Sequence, residues 1–176
     1  MYLGTGILDV AGGRGFVTFE LATKNGITST LVDPREQRPG KHQHRYLREH
    51  PSAPLSNHIR ALFDADFIAN TDHAALLASI SCVVGMHPDE ATEPIVDYAL
   101  SRNLPFAVVP CCVFATAFAH RRLRNGSSVN TYEELVQYLK EKSPAIQSTF
   151  LNMHGRNQVL YVAPAATSGG DVHDDV

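Results

Sequence analysis

The stretch Ile7-Leu8-Asp9-Val10-Ala11-Gly12-Gly13-Arg14-Gly15 (ILDVAGGRG) decides how this chain folds. An apolar run ends in an acidic residue and then opens into three glycines within four positions. Glycines at that density predict a backbone that takes positive φ or comes very close to a ligand. Residues 6–10 read as a short strand. Residues 16–24 carry the apolar spacing of a helix (Phe16, Phe19, Leu21, Ala22), and Asn25-Gly26 stops it.

Outward from this stretch the alternation continues. Residues 28–32 are β-branched and end at Asp33-Pro34. Residues 35–57 hold Pro39-Gly40, Pro51 and Pro54, so they read as irregular, with one helical turn near 43–48. A weak strand follows at 58–63, and Asn70 or Thr71 can cap a helix running to about Ser79. Residues 80–86 (ISCVVGM) form an apolar run of the kind buried on both faces of a parallel sheet. The helix expected at 89–102 has an acidic first turn, and 106–109 is another buried strand. Thr131-Tyr132-Glu133-Glu134 is a capping-box start for a helix to about Lys142. Residues 146–152 and 158–162 read as two strands joined by a tight link.

Strands alternating with helices predict an α/β, doubly wound, seven-stranded and mostly parallel sheet. The closing pair adds a C-terminal antiparallel hairpin. One domain over 1–164 is expected, with a disordered tail over 165–176.

Composition narrows the setting. The 176 residues are 44% hydrophobic and 19% charged, enough for one domain with its own core. A net charge of -3 does not by itself imply a nucleic-acid or membrane partner. No apolar run approaches the ~20 residues needed to cross a bilayer. The three cysteines, two of them adjacent, argue against a disulfide framework, so an intracellular, cytoplasmic protein is expected. Charge is uneven: from Arg35 to Arg60, six Lys/Arg face two Glu, a local balance of +4 in a segment that also carries four His. A solvated surface excursion and an RNA- or phosphate-facing insertion both fit this segment.

In a doubly wound sheet, ligands lie beyond the carboxyl ends of the strands at the switch point. The loop 10–15 borders that crevice. Asp33 ends the second strand, eighteen residues after Gly15, where such folds place a carboxylate to accept from both ribose hydroxyls. Asp9, immediately before the glycines, would repel a pyrophosphate held at a helix N-terminus. It suits a nucleoside carrying positive charge, and S-adenosylmethionine has an ammonium and a sulfonium. The loop by itself reads equally as a structural glycine turn.

The pattern Asp9-x-Ala11-x-Gly13-x-Gly15 resembles the D/E-x-G-x-G-x-G first motif of class I S-adenosylmethionine-dependent methyltransferases, with Ala11 in place of the first glycine. The strand order and closing hairpin, over residues 6 to 162, resemble the same superfamily. Ala11 in that position is expected to hold φ below zero. The resemblance implies a cofactor set of Asp9, Ala11, Gly12, Gly13, Gly15, Asp33, Pro34, Asp64, Ala65 and His87. Within it Asp33 holds the ribose, and Phe63-Asp64-Ala65-Asp66 faces the adenine.

Gly85-Met86-His87-Pro88-Asp89 resembles the G-x-H-x-C-G segment of methyltransferase-like proteins, including a group that methylates tRNA. Those with Pro-Cys-Cys after strand five are most similar, here Pro110-Cys111-Cys112. This sequence has Pro88-Asp89-Glu90 in place of the Cys-Gly, and it lacks the Asp/Asn-Pro-Pro-aromatic motif of amino-group methyltransferases. RNA, tRNA in particular, is the acceptor the resemblance implies.

Methyl transfer is an in-line displacement in which positioning supplies most of the rate, and a base is needed only if the nucleophile must lose a proton. His87 is the candidate base or orienting group; capping the next helix or packing on Pro88 is the alternative. Asp89 reads as the N-terminal cap of that helix or as a catalytic group. Cys111 and Cys112 suit a structural role, a nucleophilic or methyl-accepting thiolate (Cys111), or a metal site with His87. Adjacent cysteines do not easily share a relaxed tetrahedron, and no second Cys/His pair has zinc-finger spacing, so no metal is expected. Arg121 to Arg124 reads as a phosphate-facing cluster or as a solvated basic turn after a helix.

The chain starts at its first strand, without the helix or domain that usually covers the cofactor in this superfamily. A partner or a preceding segment is expected to cover the site, unless the site works open. Two rivals remain: a catalytically inactive binding module that keeps the fold, and an NAD(P)-dependent oxidoreductase, which Asp9 disfavours.

Overall fold

A computed structural model describes residues 6–164 of the chain. The tail expected to be disordered, 165–176, lies outside the described residues. Seven strands form one sheet in the order β3-β2-β1-β4-β5-β7-β6. They are β1 (Gly6–Val10), β2 (Ser29–Val32), β3 (Asn57–Ile59), β4 (Ile80–Met86), β5 (Phe106–Val109), β6 (Gln147–Phe150) and β7 (Gln158–Val162). The first five run parallel, and β7 pairs antiparallel with both β5 and β6. The expected sheet and closing hairpin are both present.

The winding starts at β1, goes outward to β2 and β3, then returns to β4 on the other side. That reversal puts the switch point between β1 and β4, where a crevice opens beyond the strand ends. The sheet centre is dry: Leu8, Val10, Leu31, Val83, Val108 and Leu160 are all fully buried. Burial on both faces explains why these strands are runs of Val, Ile and Leu rather than alternating patterns.

The helices are α1 (Phe16–Thr18, continuing as a π-helical stretch Phe19–Lys24), α2 (Lys41–Glu49), α3 (Ala65–Ala69), α4 (Ala74–Ser79), α5 (Thr92–Ser101) and α6 (Tyr132–Glu141). Thr131 caps α6 through the expected reciprocal box with Glu134. Gly85 lets α5 lie tightly on β4. A Cβ there would stand 2.7 Å from Ile95 Cδ1 and 3.0 Å from the Pro88 ring.

Four local readings change. The single turn expected near 43–48 is a nine-residue helix, α2. The third strand stops at Ile59 rather than 63, because Phe63 turns into the core beside Phe67 and Tyr98. An additional short helix, α3, starts at Asp64, and the helix expected from Asn70 begins as a 3-10 turn, Thr71–His73, capped by Asn70. No helix precedes the Arg121 to Arg124 turn: among the described residues, 110–130 forms turns and one isolated bridge, Arg122 with Ser128. No described helix is long and apolar enough to cross a membrane.

Candidate functional site

The glycine loop begins where β1 ends. Ala11 leaves the strand at φ 54°, followed by Gly13 at 58° and Gly15 at 65°. The expectation of a negative φ at Ala11 is therefore corrected. The Ala11 N–H continues the ladder to the Val32 carbonyl at 2.8 Å, which fixes the peptide while the residue turns left-handed. An alanine carries roughly 1–2 kcal/mol of steric cost in that conformation. Gly12 has a different reason to lack a side chain. A Cβ there would stand 2.5 Å from Asp9 Oδ2, so the loop lies directly over that carboxylate.

Asp9 is fully buried. Its Oδ2 accepts from the Thr18 N–H at 3.1 Å and from the Thr18 hydroxyl, which ties the first turn of α1 to the end of β1. Its Oδ1 has no hydrogen-bond partner among the described residues. Burial pushes the carboxyl above its ordinary range; the Thr18 bonds act against this and the nearby Asp33 charge adds to it.

Asp33 follows β2 directly and is also fully buried as a residue. Four donors converge on it. Gly13 N–H reaches Oδ2 at 2.9 Å and Arg35 N–H reaches Oδ1 at 2.9 Å. The Arg35 guanidinium then grips both oxygens, Nε to Oδ1 at 3.0 Å and Nη2 to Oδ2 at 2.9 Å. Burial alone would raise this carboxyl, but the bonds from Arg35 and Gly13 outweigh it and hold the acid below its usual range.

A hollow of about 160 Å³ lies at the switch point between Ala11, Asp33, Pro34, Phe63, Pro88 and Asp89. Of the residues expected from sequence, Ala11, Asp33, Pro34 and Asp89 line it, whereas Asp9, covered by Gly12, and Cys111 do not. Gly12, Gly13 and Gly15 shape the loop beside it. Asp64 and Ala65 do not line it: the Asp64 carboxylate caps α3 by accepting the Phe67 N–H at 2.9 Å, and the wall is Ala61-Leu62-Phe63 instead. Arg35 and Leu62, the latter 62% exposed, line it as well.

His87 is at φ 54° and its N–H bonds the Val109 carbonyl at 3.2 Å; the residue does not line the hollow. Asp89 is not the expected side-chain cap. It sits at φ 49° in a 3-10 turn (Asp89–Ala91) with no capping bond, and its Oδ1 instead accepts from the Cys111 thiol at 3.2 Å. Burial, and then the Asp89 carboxylate, push Cys111 up to about 12, so near neutral pH it is a thiol and a poor nucleophile.

The basic turn is largely spent internally. Arg121 is buried and pairs with Glu93 at 2.7 Å, Arg122 Nη1 donates to the Ala119 and Arg121 carbonyls, and Arg124 binds Glu141. The expected substrate contact at Arg121 is thus corrected. The other basic segment is differently placed. Gln43, buried at the base of α2, donates to the Arg14 and Gly15 carbonyls at 3.2 and 3.4 Å. This fastens α2 to the glycine loop, and Lys41, His42, His44, Arg45 and Arg48 are left exposed along a surface groove.

No protein-family model matches the chain, and no curated protein matches it. Solved structures do. A Staphylococcus aureus protein provisionally described as a caffeoyl-CoA O-methyltransferase superposes with a TM-score of 0.50 at 14% identity, over 91% of this chain and 76% of that one. An O-methyltransferase family protein from Burkholderia thailandensis gives 0.51 at 14% identity, over 89% of this chain and 49% of that one. The fold is the class I methyltransferase fold. At these identities the likeness concerns the fold and leaves the chemistry to the residues in the site. The chain spans about half the length of the Burkholderia protein.

Proposed function

We propose that this chain binds S-adenosylmethionine in the hollow at the switch point and transfers its methyl group to RNA. One observation carries the cofactor reading: Asp33, just past β2, lines the hollow with a buried carboxylate beside the glycine loop, and Asp9, buried beneath the same loop, has an oxygen with no hydrogen-bond partner among the described residues. Arg35 already compensates Asp33, so it is the acidic group beneath the loop, Asp9, that a cationic nucleoside suits and a pyrophosphate opposes. The acceptor reading rests on α2, whose exposed cations stand beside the cofactor loop through Gln43. Phosphate contacts of this type position an RNA without reading its sequence.

A second reading has its own support. The Arg35 fork fills the acceptor positions of Asp33 that a ribose would use, and the hollow is small. Both features suit a fold kept as a binding module without catalysis. Calorimetry with S-adenosylmethionine and S-adenosylhomocysteine separates the two. The methyltransferase reading expects both to bind and Asp33→Ala to weaken both. No binding of either at millimolar concentration rejects it, and tight NADH binding would favour an oxidoreductase. The acceptor is tested with labelled S-adenosylmethionine: label should enter RNA, and Arg45→Glu with Arg48→Glu should reduce it.

A further inference from the structure

The loop after β4 and the loop after β5 bring together three donors that lie 22 and 23 residues apart in sequence. One oxygen of Asp89 and the sulfurs of Cys111 and Cys112 all lie within 4.8 Å of one another. We propose that Asp89, Cys111 and Cys112 form a binding site for a thiophilic divalent cation of the zinc type. The inference rests on these three side chains and stands whether or not the methyl-transfer reading does.

The donor chemistry selects the metal class. Two thiolates and a carboxylate are a soft-to-borderline set suited to a d¹⁰ cation, and they leave out magnesium and calcium, which take all-oxygen shells. Ligands held at about 2.0–2.3 Å in a tetrahedron stand roughly 3.3–3.8 Å from one another. The Cys111 sulfur and Asp89 Oδ1 are already 3.2 Å apart, and the remaining spans are within 4.8 Å, so each must shorten by no more than about 1.5 Å. Three protein ligands leave a fourth position for water or an acceptor atom, the pattern of an open rather than a closed structural site.

The backbone is arranged for this. His87 and Asp89 flank Pro88 in left-handed conformations, φ 54° and 49°. That turn aims the Asp89 carboxylate across to the β5 loop rather than back onto its own helix, where a cap would have used it. The expectation of no metal rests on the strain of adjacent cysteine ligands and on the lack of a second Cys/His pair, with His87 as the one further donor; the fold instead brings an Asp89 oxygen and both sulfurs within 4.8 Å of one another. Because Asp89 also lines the hollow, a cation held here sits at the hollow's rim.

Binding exchanges protons for metal. Each thiol loses its proton to solvent as its sulfur bonds the cation, and the Cys111 S–H···Asp89 hydrogen bond is replaced by two metal–ligand bonds. No electron is transferred. Affinity therefore rises with pH.

The test uses the full chain, reduced, desalted and free of chelator, titrated with Cd²⁺ as a spectroscopic probe. The expected result is an ultraviolet thiolate-to-cadmium charge-transfer band that saturates at one cation per chain and is displaced by Zn²⁺. Cys111→Ser should abolish the band, Asp89→Asn should weaken binding at least tenfold, and Cys82→Ser, on β4, should leave it unchanged. Thermal melting of each variant separates loss of ligand from loss of fold. The inference is overturned by the absence of the band, by its loss in Cys82→Ser, or by Asp89→Asn binding within twofold of the parent. None of these readouts depends on S-adenosylmethionine, so failure here is distinct from failure of the methyltransferase reading.

Discussion

Arg35 grips both carboxylate oxygens of Asp33, at 2.9 and 3.0 Å, from two residues further along the chain. With the Gly13 and Arg35 N–H groups, this fills the acceptor sites that a ribose diol would need. The Arg35 side chain is mostly exposed, 69%, whereas Asp33 is buried. A fork with its outer side in water is displaceable, so it acts as a competitor with the nucleoside rather than as a permanent plug. With its cation in water, the pair is screened by solvent and contributes about 1 kcal/mol. Removing the competitor should therefore tighten nucleoside binding about fivefold. Arg35→Ala is expected to bind S-adenosylmethionine more tightly by calorimetry and to melt at a lower temperature without ligand. Weaker binding in that variant would mean that Arg35 contacts the ligand directly.

Asp9 gives the opposite trade. Its carboxyl is raised above 3.8 chiefly by burial, so the folded chain holds the proton more tightly than the unfolded one. The sign follows: the protonated form favours folding, and that contribution is lost as pH rises through the raised value. Asp9→Asn keeps an oxygen for the Thr18 donors and removes the buried charge. The ligand-free variant should gain about 1 kcal/mol near neutral pH, read from urea unfolding. Its affinity for S-adenosylmethionine should fall at least tenfold, and by less for S-adenosylhomocysteine, which lacks the sulfonium charge. Equal losses would assign Asp9 to the shared ammonium.

Gly85 tests the packing between α5 and β4. A methyl group there meets Ile95 Cδ1 at 2.7 Å and the Pro88 ring at 3.0 Å, and the proline ring cannot yield without shifting the turn at Asp89. Gly85→Ala should lose ~1–3 kcal/mol, the usual cost of overpacking a close contact. Ile95→Val in the same background should restore part of that loss in a chemical denaturation series. No recovery would place the strain on the Pro88 side.

What could be read from the sequence follows a physical division. β1, β4 and β5 are legible because buried strands write themselves as apolar runs bounded by breakers, whereas the outer hairpin strand β6 (QSTF) is a mostly exposed edge and shows only through the tight link to β7. Asp9 and Asp33 were placed correctly at strand ends for the same reason. α2 was underestimated because Lys41–Glu49 is almost wholly polar and its one buried anchor, Gln43, is not an apolar signal. α3 is only five residues long, and its cap, Asp64, reads equally well as a ligand contact. Arg35 was visible only as part of a charge count, although a cation two residues after a strand-end acid is a local signal for a fork. The contact of Asp89 with Cys111 had no such signal, since only the sheet order brings the ends of β4 and β5 together.

The last prediction concerns acid stability. Glu93 on α5 accepts from Arg121 at 2.7 Å, from Lys142 at 2.8 Å and from the Tyr138 hydroxyl, which joins α5 to α6 and to the 110–130 segment. Burial would raise this carboxyl, but the Lys142, Tyr138 and Arg121 bonds dominate and bring it from 4.5 to about 2. A depressed folded value means that the stabilisation is fully present above the unfolded value and is lost as pH falls from about 4.5 towards 2. The span corresponds to roughly 3 kcal/mol. Urea unfolding at pH steps from 7 down to 3 should show that decline. Glu93→Gln should be less stable at pH 7 and should flatten the acid limb, because the group that titrates is gone. Arg121→Ala should lose ~3–5 kcal/mol at pH 7, since it leaves one partner of a buried pair behind. An acid limb of unchanged slope in Glu93→Gln would assign the pH dependence to Asp33, whose carboxyl Arg35 also holds low.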